Sequence, residues 1–445
     1  MSFSSRDTSR CLLSNGNYTV MLHASGSGFS RWRSQAVTRW REDPTTEPWG
    51  SYLLLRDEDS GVVWSATCQP LGTSAPDDAV TFAAGRASFS RRHHSVHTML
   101  DIAVAADADV ELRRLTVSNH GDRMRTLSVT SYAELVLGPA AADDAHPAFS
   151  KLFVQTQWDP THALLLATRR KRDTHEPSVW AAQALQVQGR PVDGGCSYET
   201  DRARWLGRGR TVRDALAMQP EAKLSGTVGC VLDPVFSLRQ RFTLGPRESI
   251  TLLLWTRVAD SRDGALELAG QLRDGDAGDA LFAAAAQREE DVLQRLHIDA
   301  ALAARFAQWM SALISIDPAQ RAAADVLVLG RGGAPTLWAA GISGDRPIAL
   351  LRIDGDGMPQ VVNELLLAQH YWQGQHVAVD VVLLVGGGGA EAEALASVLE
   401  PLVDAQRKQL TADERAPKAE VFLLREDAIA SGLRDGVMTV ARVVI

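Results

Sequence analysis

Short apolar segments separated by turn residues fill the chain between Leu12 and Val258, and they constrain its fold more than any other feature. The segments are a few residues long or alternate apolar with polar residues, and Gly, Pro, Asn and Asp stand between them. This pattern predicts β-strands. The clearest are Tyr18–His23, Tyr52–Leu55, Val62–Ala66, Val110–Ser118, Thr126–Val136, Leu164–Thr168, Val179–Gln188, Phe236–Leu244 and Ser249–Arg257. Because no helical period interrupts them, we expect a mainly β fold, a large antiparallel β-sandwich of more than one sheet.

The composition changes after these segments. Ala265–Gln271 and Ala280–Ile314 are rich in Ala, Leu, Glu, Gln and Arg, with apolar residues three and four positions apart, which predicts helices. After Gly330, strands and helices alternate as in a small α/β unit with parallel strands. The elements predicted there are strands Ile348–Ile353, Val377–Val385 and Glu420–Leu424 and helices Pro359–Trp372 and Ala390–Gln409. We therefore expect a sandwich domain at 1–262, linker helices at 263–330 and an α/β subdomain at 331–445.

The last six residues, Val440–Ile445, are mostly apolar and resemble a strand. They predict either a final strand that pairs within the sheet or a chain that is a fragment of a longer protein. An exposed apolar strand would also support a homodimer, so a structural or oligomerisation role stays open.

The overall charge excludes one large class of function. The chain has 54 acidic against 46 basic residues and a net charge of −8, whereas a general nucleic-acid binder needs surplus Lys and Arg to displace counterions.

The four cysteines are widely spaced without a CxxC pair, so we expect neither a zinc site nor a disulfide framework. We expect no cofactor either. The N-terminus lacks the apolar core of a signal peptide and the chain lacks a run of about 18 apolar residues, so we expect a cytoplasmic protein.

Tryptophan and arginine interleave in the stretch from residue 31 to residue 49. Sugars present an apolar face of C–H groups and a rim of hydroxyls, so their sites favour flat aromatic rings beside planar hydrogen-bonding groups. The candidate carbohydrate-binding residues here are Arg31, Trp32, Arg39, Trp40, Asp43 and Trp49. The alternative is a loop that its own aromatics and charges pack onto the sandwich.

Two further stretches supply candidate ligand contacts. His146 could donate a proton or bind phosphate, and Lys151 could bind an anion, although a lone His in a turn is commonly a surface residue. Arg204 and Trp205 lie in an arginine-rich stretch with two glycines that could hold a phosphate or a sugar rim. The alternative for that stretch is an exposed loop joined by salt bridges.

Two other motifs carry less weight. The glycine run 386–389 follows a predicted strand but lacks the Lys and Ser or Thr of a phosphate-binding loop, so it predicts a flexible turn. His93, His94 and His97 have metal-like spacing, yet Arg91 and Arg92 would repel a cation, so we expect no metal site.

Several motifs occur in an order that resembles one region of the cyclic β-1,2-glucan synthases. They are Leu13-Ser-Asn-Gly-Asn-Tyr, Gly26-Ser-Gly-Phe-Ser-Arg-Trp, Val37-Thr-Arg-Trp-Arg-Glu-Asp, Trp49-Gly-Ser-Tyr, Thr130-Ser-Tyr-Ala-Glu, His146-Pro-Ala-Phe-Ser-Lys-Leu-Phe, Glu199-Thr-Asp-Arg and Trp338-Ala-Ala-Gly-Ile-Ser-Gly-Asp. That region is of the glycosyltransferase family 36 type, grouped with glycoside hydrolase family 94 and its cellobiose and chitobiose phosphorylases. The match covers nearly the whole chain.

The resemblance implies a supersandwich that helps to shape a sugar site. In that family an acid in an (α/α)6 barrel protonates the glycosidic oxygen while phosphate attacks the anomeric carbon. The residues up to Ile445 contain no such barrel pattern, so we expect a truncated, non-catalytic module that binds β-glucan oligosaccharides and carries no catalytic residue. The alternative is an active component that handles β-1,2-glucan and inorganic phosphate together with a separate barrel-bearing partner.

Overall fold

The computed structural model describes residues 9–445 except 44, 190, 191, 193, 273–275, 331, 332, 355–358 and 413–415. The chain folds into two compact units, which we call the sandwich unit (Met1–Asp291) and the α/β unit (Val292–Ile445). The division into three domains expected from the sequence stays a prediction. None of the helices in the described ranges has the length and apolarity that crossing a bilayer requires.

The strands of the described residues are numbered in chain order. They are β1 (Arg10–Ser14), β2 (Tyr18–His23), β3 (Gly28–Trp32), β4 (Gln35–Thr38), β5 (Tyr52–Asp57), β6 (Val63–Ser65), β7 (Ala79–Ala83), β8 (Arg86–His93), β9 (Val96–Val104), β10 (Val110–Asn119), β11 (Arg125–Gly138), β12 (Val154–Asp159), β13 (Leu164–Arg169), β14 (Trp180–Gln188), β15 (Ser197–Asp201), β16 (Pro234–Leu244), β17 (Ser249–Ala259), β18 (Ile348–Ile353), β19 (Asp380–Val385), β20 (Val421–Arg425) and β21 (Val443–Val444).

Helices follow the same numbering. The α-helices are α1 (Ala140–Ala145), α2 (Pro147–Lys151), α3 (Arg202–Leu206), α4 (Arg262–Leu266), α5 (Leu268–Gln271), α6 (Ala277–Arg295), α7 (Ala300–Ile314), α8 (Ala324–Leu327), α9 (Ala334–Trp338), α10 (Pro359–Gly374), α11 (Ala390–Thr411) and α12 (Ser431–Val440). Short 3₁₀ turns occur at Val212–Asp214, Leu216–Met218 and Pro318–Gln320.

Two antiparallel sheets form the sandwich unit. Within the described residues, one has nine strands in the order β1-β2-β3-β4-β11-β16-β15, with β5 paired to β11 and β6 to β5. The long strand β11 pairs with β5 along its first half and with β4 near its end. The other sheet has eight strands in the order β12-β13-β14-β17-β10-β9-β8-β7. The predicted mainly β antiparallel sandwich is confirmed.

The main core lies between the two sheets, and alternation along each strand explains which side chains enter it. In β17, Ile250, Leu252 and Leu254 belong to this core, whereas Leu253 and Trp255 point the other way and pack with residues of α4, α5 and α6. A strand covered on both faces is apolar at nearly every position, which is how this run appears in the sequence.

A smaller cluster covers the outer face of the nine-stranded sheet. Tyr52, Tyr132 and Val235 lie on the strands of this sheet, and Trp205 and Met218 pack against them from the segment between β15 and β16. The cluster fixes that segment, which carries α3, against the sheet.

The α/β unit is built on a parallel sheet with the order β20-β19-β18-β21. The parallel strands β18, β19 and β20 are connected through α10 and α11, as the alternating sequence pattern predicts. The final strand predicted within Val440–Ile445 is present as Val443–Val444, which pairs with β18. Val440 itself ends α12.

The fold adds a hairpin that the strands predicted from the sequence did not include. Residues 28–38, where a packed loop was one of the two alternatives, form the hairpin of β3 and β4, with Arg31 opposite Ala36. Its tight turn places Arg33 at a φ of 53°. The short strands and the many polar residues hide the alternation that would have revealed it.

A histidine in the sandwich unit is expected to make the unfolding free energy depend on pH. The His93 imidazole stacks on Trp64 with ring centroids 4.8 Å apart, and its Nε2 is buried without a hydrogen-bond partner. Burial lowers the pKa of His93, and the neighbouring His94, Arg91 and Arg125 lower it further. The folded state therefore favours the neutral form of the His93 imidazole.

The sign of this dependence follows from proton linkage. The unfolded chain has a His pKa of about 6.5, above that of the folded state, so it binds more protons as the pH falls. We expect the melting temperature to fall between about pH 7 and pH 5 and to level off below the folded-state pKa. Thermal melting of the His93→Phe variant, which keeps a stacked ring, should show a smaller fall. Equal falls in the two proteins would contradict the assignment to His93.

Candidate functional site

The hairpin β3–β4 and the end of β11 form a shallow cleft, which we call the Arg31 cleft. Because side chains alternate along a strand, Phe29 and Arg31 are partly exposed while their neighbours Ser30 and Trp32 are buried. The lining residues are Phe29, Ser30, Arg31, Ala36, Thr38, Trp40, Val136, Ala140 and Asp143. The cleft has a volume of about 30 Å³, far below the roughly 300–1,000 Å³ of a pocket that encloses a small-molecule ligand. It can hold the edge or face of a larger ligand but cannot enclose one.

One wall of the cleft is aromatic. The partly exposed Trp40 meets Phe29 edge to face, with ring centroids 5.5 Å apart and an interplanar angle of 62°. This packing holds the indole in place while part of it stays accessible. An ordered indole at a surface is suited to stacking against the C–H face of a pyranose.

Arg31 supplies the charge of the cleft. Its guanidinium lies over the Phe29 ring at 5.2 Å, and among the described residues it has neither a carboxylate partner nor a hydrogen-bond acceptor. Burial lowers the pKa of Arg31. Since arginine keeps its proton at neutral pH, the side chain remains a charged donor without a partner.

Asp143 lines the cleft but is already fully engaged. Its two carboxylate oxygens accept from Arg39 Nε at 2.9 Å and Nη2 at 3.1 Å, and Arg41 Nη2 lies 3.7 Å away. Arg39 is 3% exposed and its Nη1 also donates to Glu134 Oε2 at 2.7 Å. Burial opposes the charge of Arg39, but Asp143 and Glu134 outweigh it and raise the pKa of the guanidinium.

The ion pairs continue away from the cleft through Glu134. Glu134 Oε1 accepts from Arg202 Nε at 2.7 Å and from the Tyr132 hydroxyl at 2.8 Å. Asp233 lies 2.8 Å from Lys151 Nζ and 3.3 Å from Arg202 Nη1. Burial and the charge of Glu134 raise the pKa of Tyr132. This network fixes α1, α2 and α3 to the end of β11.

The structure brings only some of the candidate residues together. Arg31 and Trp40 line the cleft, Arg39 lies behind it, and Lys151 is paired with Asp233 in the adjoining network. Trp49 is half-buried near the cation of Arg41, at 5.9 Å.

Two candidate tryptophans lie in the interior. Trp32 is buried in the core between the sheets and donates from Nε1 to Asp109 at 2.6 Å. Trp205 is 0% exposed and donates from Nε1 to Ser237 Oγ at 2.9 Å. Neither ring has a face open to a ligand, so we leave both out of the proposed binding surface.

The remaining candidates lie on the surface and do not line the cleft. Asp43 accepts hydrogen bonds from the main-chain amides and hydroxyls of Thr45 and Thr46, which lower the pKa of its carboxyl group. His146 is exposed between α1 and α2. Arg204 is exposed, with Nε 3.7 Å from Asp201.

Sequence reasoning missed several residues of this site. Phe29 belongs to the same strand face as Arg31, and the period of two would have indicated it once the hairpin was recognised. Asp143 lies 104 positions and Glu134 95 positions from Arg39, with which both pair. Asp233, which lies 3.6 Å from the same arginine, comes still later in the chain. No local sequence signal connects positions so far apart.

The Arg31 cleft lies in the part of the chain that a known family model covers. Residues 7–275 match the family model "Glycosyl hydrolase 94, supersandwich domain". The chain belongs to this family, and its role is related to carbohydrates.

Two curated relatives show the extent of the similarity. The cyclic beta-(1,2)-glucan synthase NdvB of Rhizobium meliloti (strain 1021) is 33% identical over 95% of this chain and 15% of its own length. The N,N'-diacetylchitobiose phosphorylase of Vibrio proteolyticus is 27% identical over 52% of this chain and 28% of its own length. The chain thus spans less than a third of either relative. Among solved structures, a bacterial glucoamylase complexed with acarbose aligns with a TM-score of 0.42 and 9% identity, over 71% of this chain and 41% of that one.

Proposed function

We propose that the sandwich unit binds β-glucan oligosaccharides at the Arg31 cleft and serves as a carbohydrate-binding module without a catalytic residue of its own. The observation that carries the proposal is the pairing of the accessible Trp40 indole with the unpartnered Arg31 guanidinium in one cleft. The β-1,2 linkage rests on the glucan synthase to which the chain is similar.

The shape and chemistry of the cleft support this proposal. Sugar sites combine a flat ring with planar hydrogen-bond donors, and the cleft offers both on a framework of strands. Its lining also includes the apolar side chains of Ala36, Val136 and Ala140, which suit the C–H groups of a pyranose. The ion pair of Arg39 with Asp143 stiffens the wall behind it, which reduces the entropy lost when a ligand binds.

Replacing Trp40 by Ala tests the proposal. Stacking of an aromatic side chain contributes roughly 1 kcal/mol or more beyond its buried area, so we expect the variant to bind a β-1,2-glucooligosaccharide about tenfold more weakly or worse. Isothermal titration calorimetry with millimolar sugar measures the change.

The matched control is Trp158→Ala. Trp158 is also partly exposed, but it stacks on Tyr198 at 4.2 Å and does not line the cleft. This variant should bind the sugar as the unaltered protein does, provided circular dichroism shows that it is folded. Absence of binding by the unaltered protein, or equal losses in the two variants, would refute a glucan site at the cleft.

A further inference from the structure

We propose that the Arg31 cleft recognises one oxyanion, a carboxylate or a phosphate ester, carried by the sugar ligand. This inference rests on the proposed function and makes the ligand more specific. It depends on which hydrogen-bonding groups in the cleft are free and which are occupied.

The free polar groups of the cleft are donors. The Arg31 guanidinium carries five N–H donors and no acceptor, and the Trp40 indole carries one N–H donor and no acceptor. No hydrogen bond to another described residue occupies either side chain. A ligand that fills this cleft must therefore present acceptors.

The strongest acceptor that lines the cleft, the Asp143 carboxylate, is already in use. It accepts two N–H groups of Arg39, at 2.9 Å and 3.1 Å. Thr38 Oγ1 accepts the Ser30 main-chain N–H at 2.8 Å, and the proton of the Ser30 hydroxyl is donated to Glu111 at 2.6 Å. The two hydroxyl oxygens keep lone pairs, but both side chains are buried, with Ser30 1% and Thr38 6% exposed. A neutral sugar hydroxyl both donates and accepts, so it would find partners for its oxygen and few for its proton. An oxyanion only accepts, and so matches the free groups better.

The charge of the cleft also favours an anionic ligand. Asp143 is neutralised by Arg39 and by Arg41, which leaves the charge of Arg31 uncompensated among the described residues. Burial lowers the pKa of Arg31 because a cation removed from water is destabilised. A bound anion would offset that cost, and a guanidinium forms bidentate hydrogen bonds with carboxylate or phosphate oxygens.

The experiment compares three probes on the full 445-residue chain by calorimetry. They are a β-1,2-glucooligosaccharide, the same oligosaccharide oxidised at C6 to carry carboxylates, and inorganic phosphate alone. We expect the oxidised sugar to bind about tenfold tighter than the neutral one, the effect of a charge-assisted pair. The ratio should shrink at high salt because ions screen a pair at the surface.

Two arginine variants locate the effect. Arg31→Gln should bring the ratio of the two sugar affinities close to one. Arg33→Gln should leave the ratio unchanged, because the exposed Arg33 lies over Trp32 at 4.4 Å and does not line the cleft. Circular dichroism of both variants verifies that they are folded.

Each outcome decides between the proposals. Equal binding of neutral and oxidised sugar would overturn the oxyanion inference and leave the glucan site standing. A preference that survives Arg31→Gln would overturn it as well. No binding of either sugar would refute the proposed function, and the inference with it. If inorganic phosphate alone binds and the Arg31→Gln substitution abolishes that binding, the oxyanion site is supported. The bound oxyanion is then a free anion and not a group carried by a sugar.

Discussion

Replacing Trp205 by Ala is expected to lower the unfolding free energy of the sandwich unit by about 3–5 kcal/mol, the usual cost of truncating a large buried aromatic. Trp205 is 0% exposed and its ring lies 4.3 Å from that of Tyr132. Its Nε1 donates to Ser237 Oγ, so the substitution also removes a buried hydrogen bond. Urea unfolding followed by circular dichroism, fitted with one transition for each compact unit, measures the change.

Two substitutions control for this prediction. Trp205→Phe keeps most of the buried ring and loses the hydrogen bond to Ser237, so it should cost about 1–3 kcal/mol. Trp338→Ala removes an indole that is 59% exposed in the α/β unit and should cost at most about 1 kcal/mol. If Trp205→Ala were as stable as Trp338→Ala, the packing role assigned to Trp205 would be wrong.

Trp205 also illustrates why the sequence indicates residue types better than their positions. The candidate sugar ligands taken from the composition included Trp32, Trp40 and Trp205, each of which lies beside arginine. Only strand alternation and tertiary packing separate the accessible Trp40 from the other two. The hairpin β3–β4 was not recognised as strands, so the period of two could not be applied there.

The sandwich itself could be predicted because its signal is local. Segments such as β17 are apolar at nearly every position and are bounded by turn residues, which is typical of a strand buried on both faces. The order in which the strands pair could not be predicted from the sequence in the same way. In the nine-stranded sheet β11 contacts β4, β5 and β16, and nothing in these segments states which will be neighbours.

The candidate site could be predicted in part for the same reason. Arg31 and Trp40 are close in sequence and were found by composition. The partners that fix the wall come from other strands and helices: Arg39 is 95 positions from Glu134 and 104 from Asp143. Such ion pairs depend on the fold, so they became visible only with the structure.

Replacing Arg39 by Ala is expected to lower the unfolding free energy of the sandwich unit by about 3–5 kcal/mol, because it leaves buried carboxylates without their cation. Asp143 is 3% and Glu134 6% exposed. Arg39 satisfies Asp143 through two hydrogen bonds and Glu134 through a third, so water cannot readily replace it. Urea unfolding measures the loss.

The matched control is Arg41→Ala. Arg41 is half-buried, pairs with the exposed Asp144 at 3.0 Å and lies 3.7 Å from Asp143. Its removal leaves Asp143 with both hydrogen bonds from Arg39, so we expect a loss of about 0–1 kcal/mol. The double variant Arg39→Ala with Asp143→Ala removes one of the two stranded carboxylates, so it should lose less stability than the sum of the two single variants. A cost for Arg39→Ala no larger than that for Arg41→Ala, or strictly additive losses in the cycle, would show that the buried network does not hold the wall of the cleft. Because Asp143 lines the cleft itself, a weakened network should also weaken sugar binding in the variants that still fold.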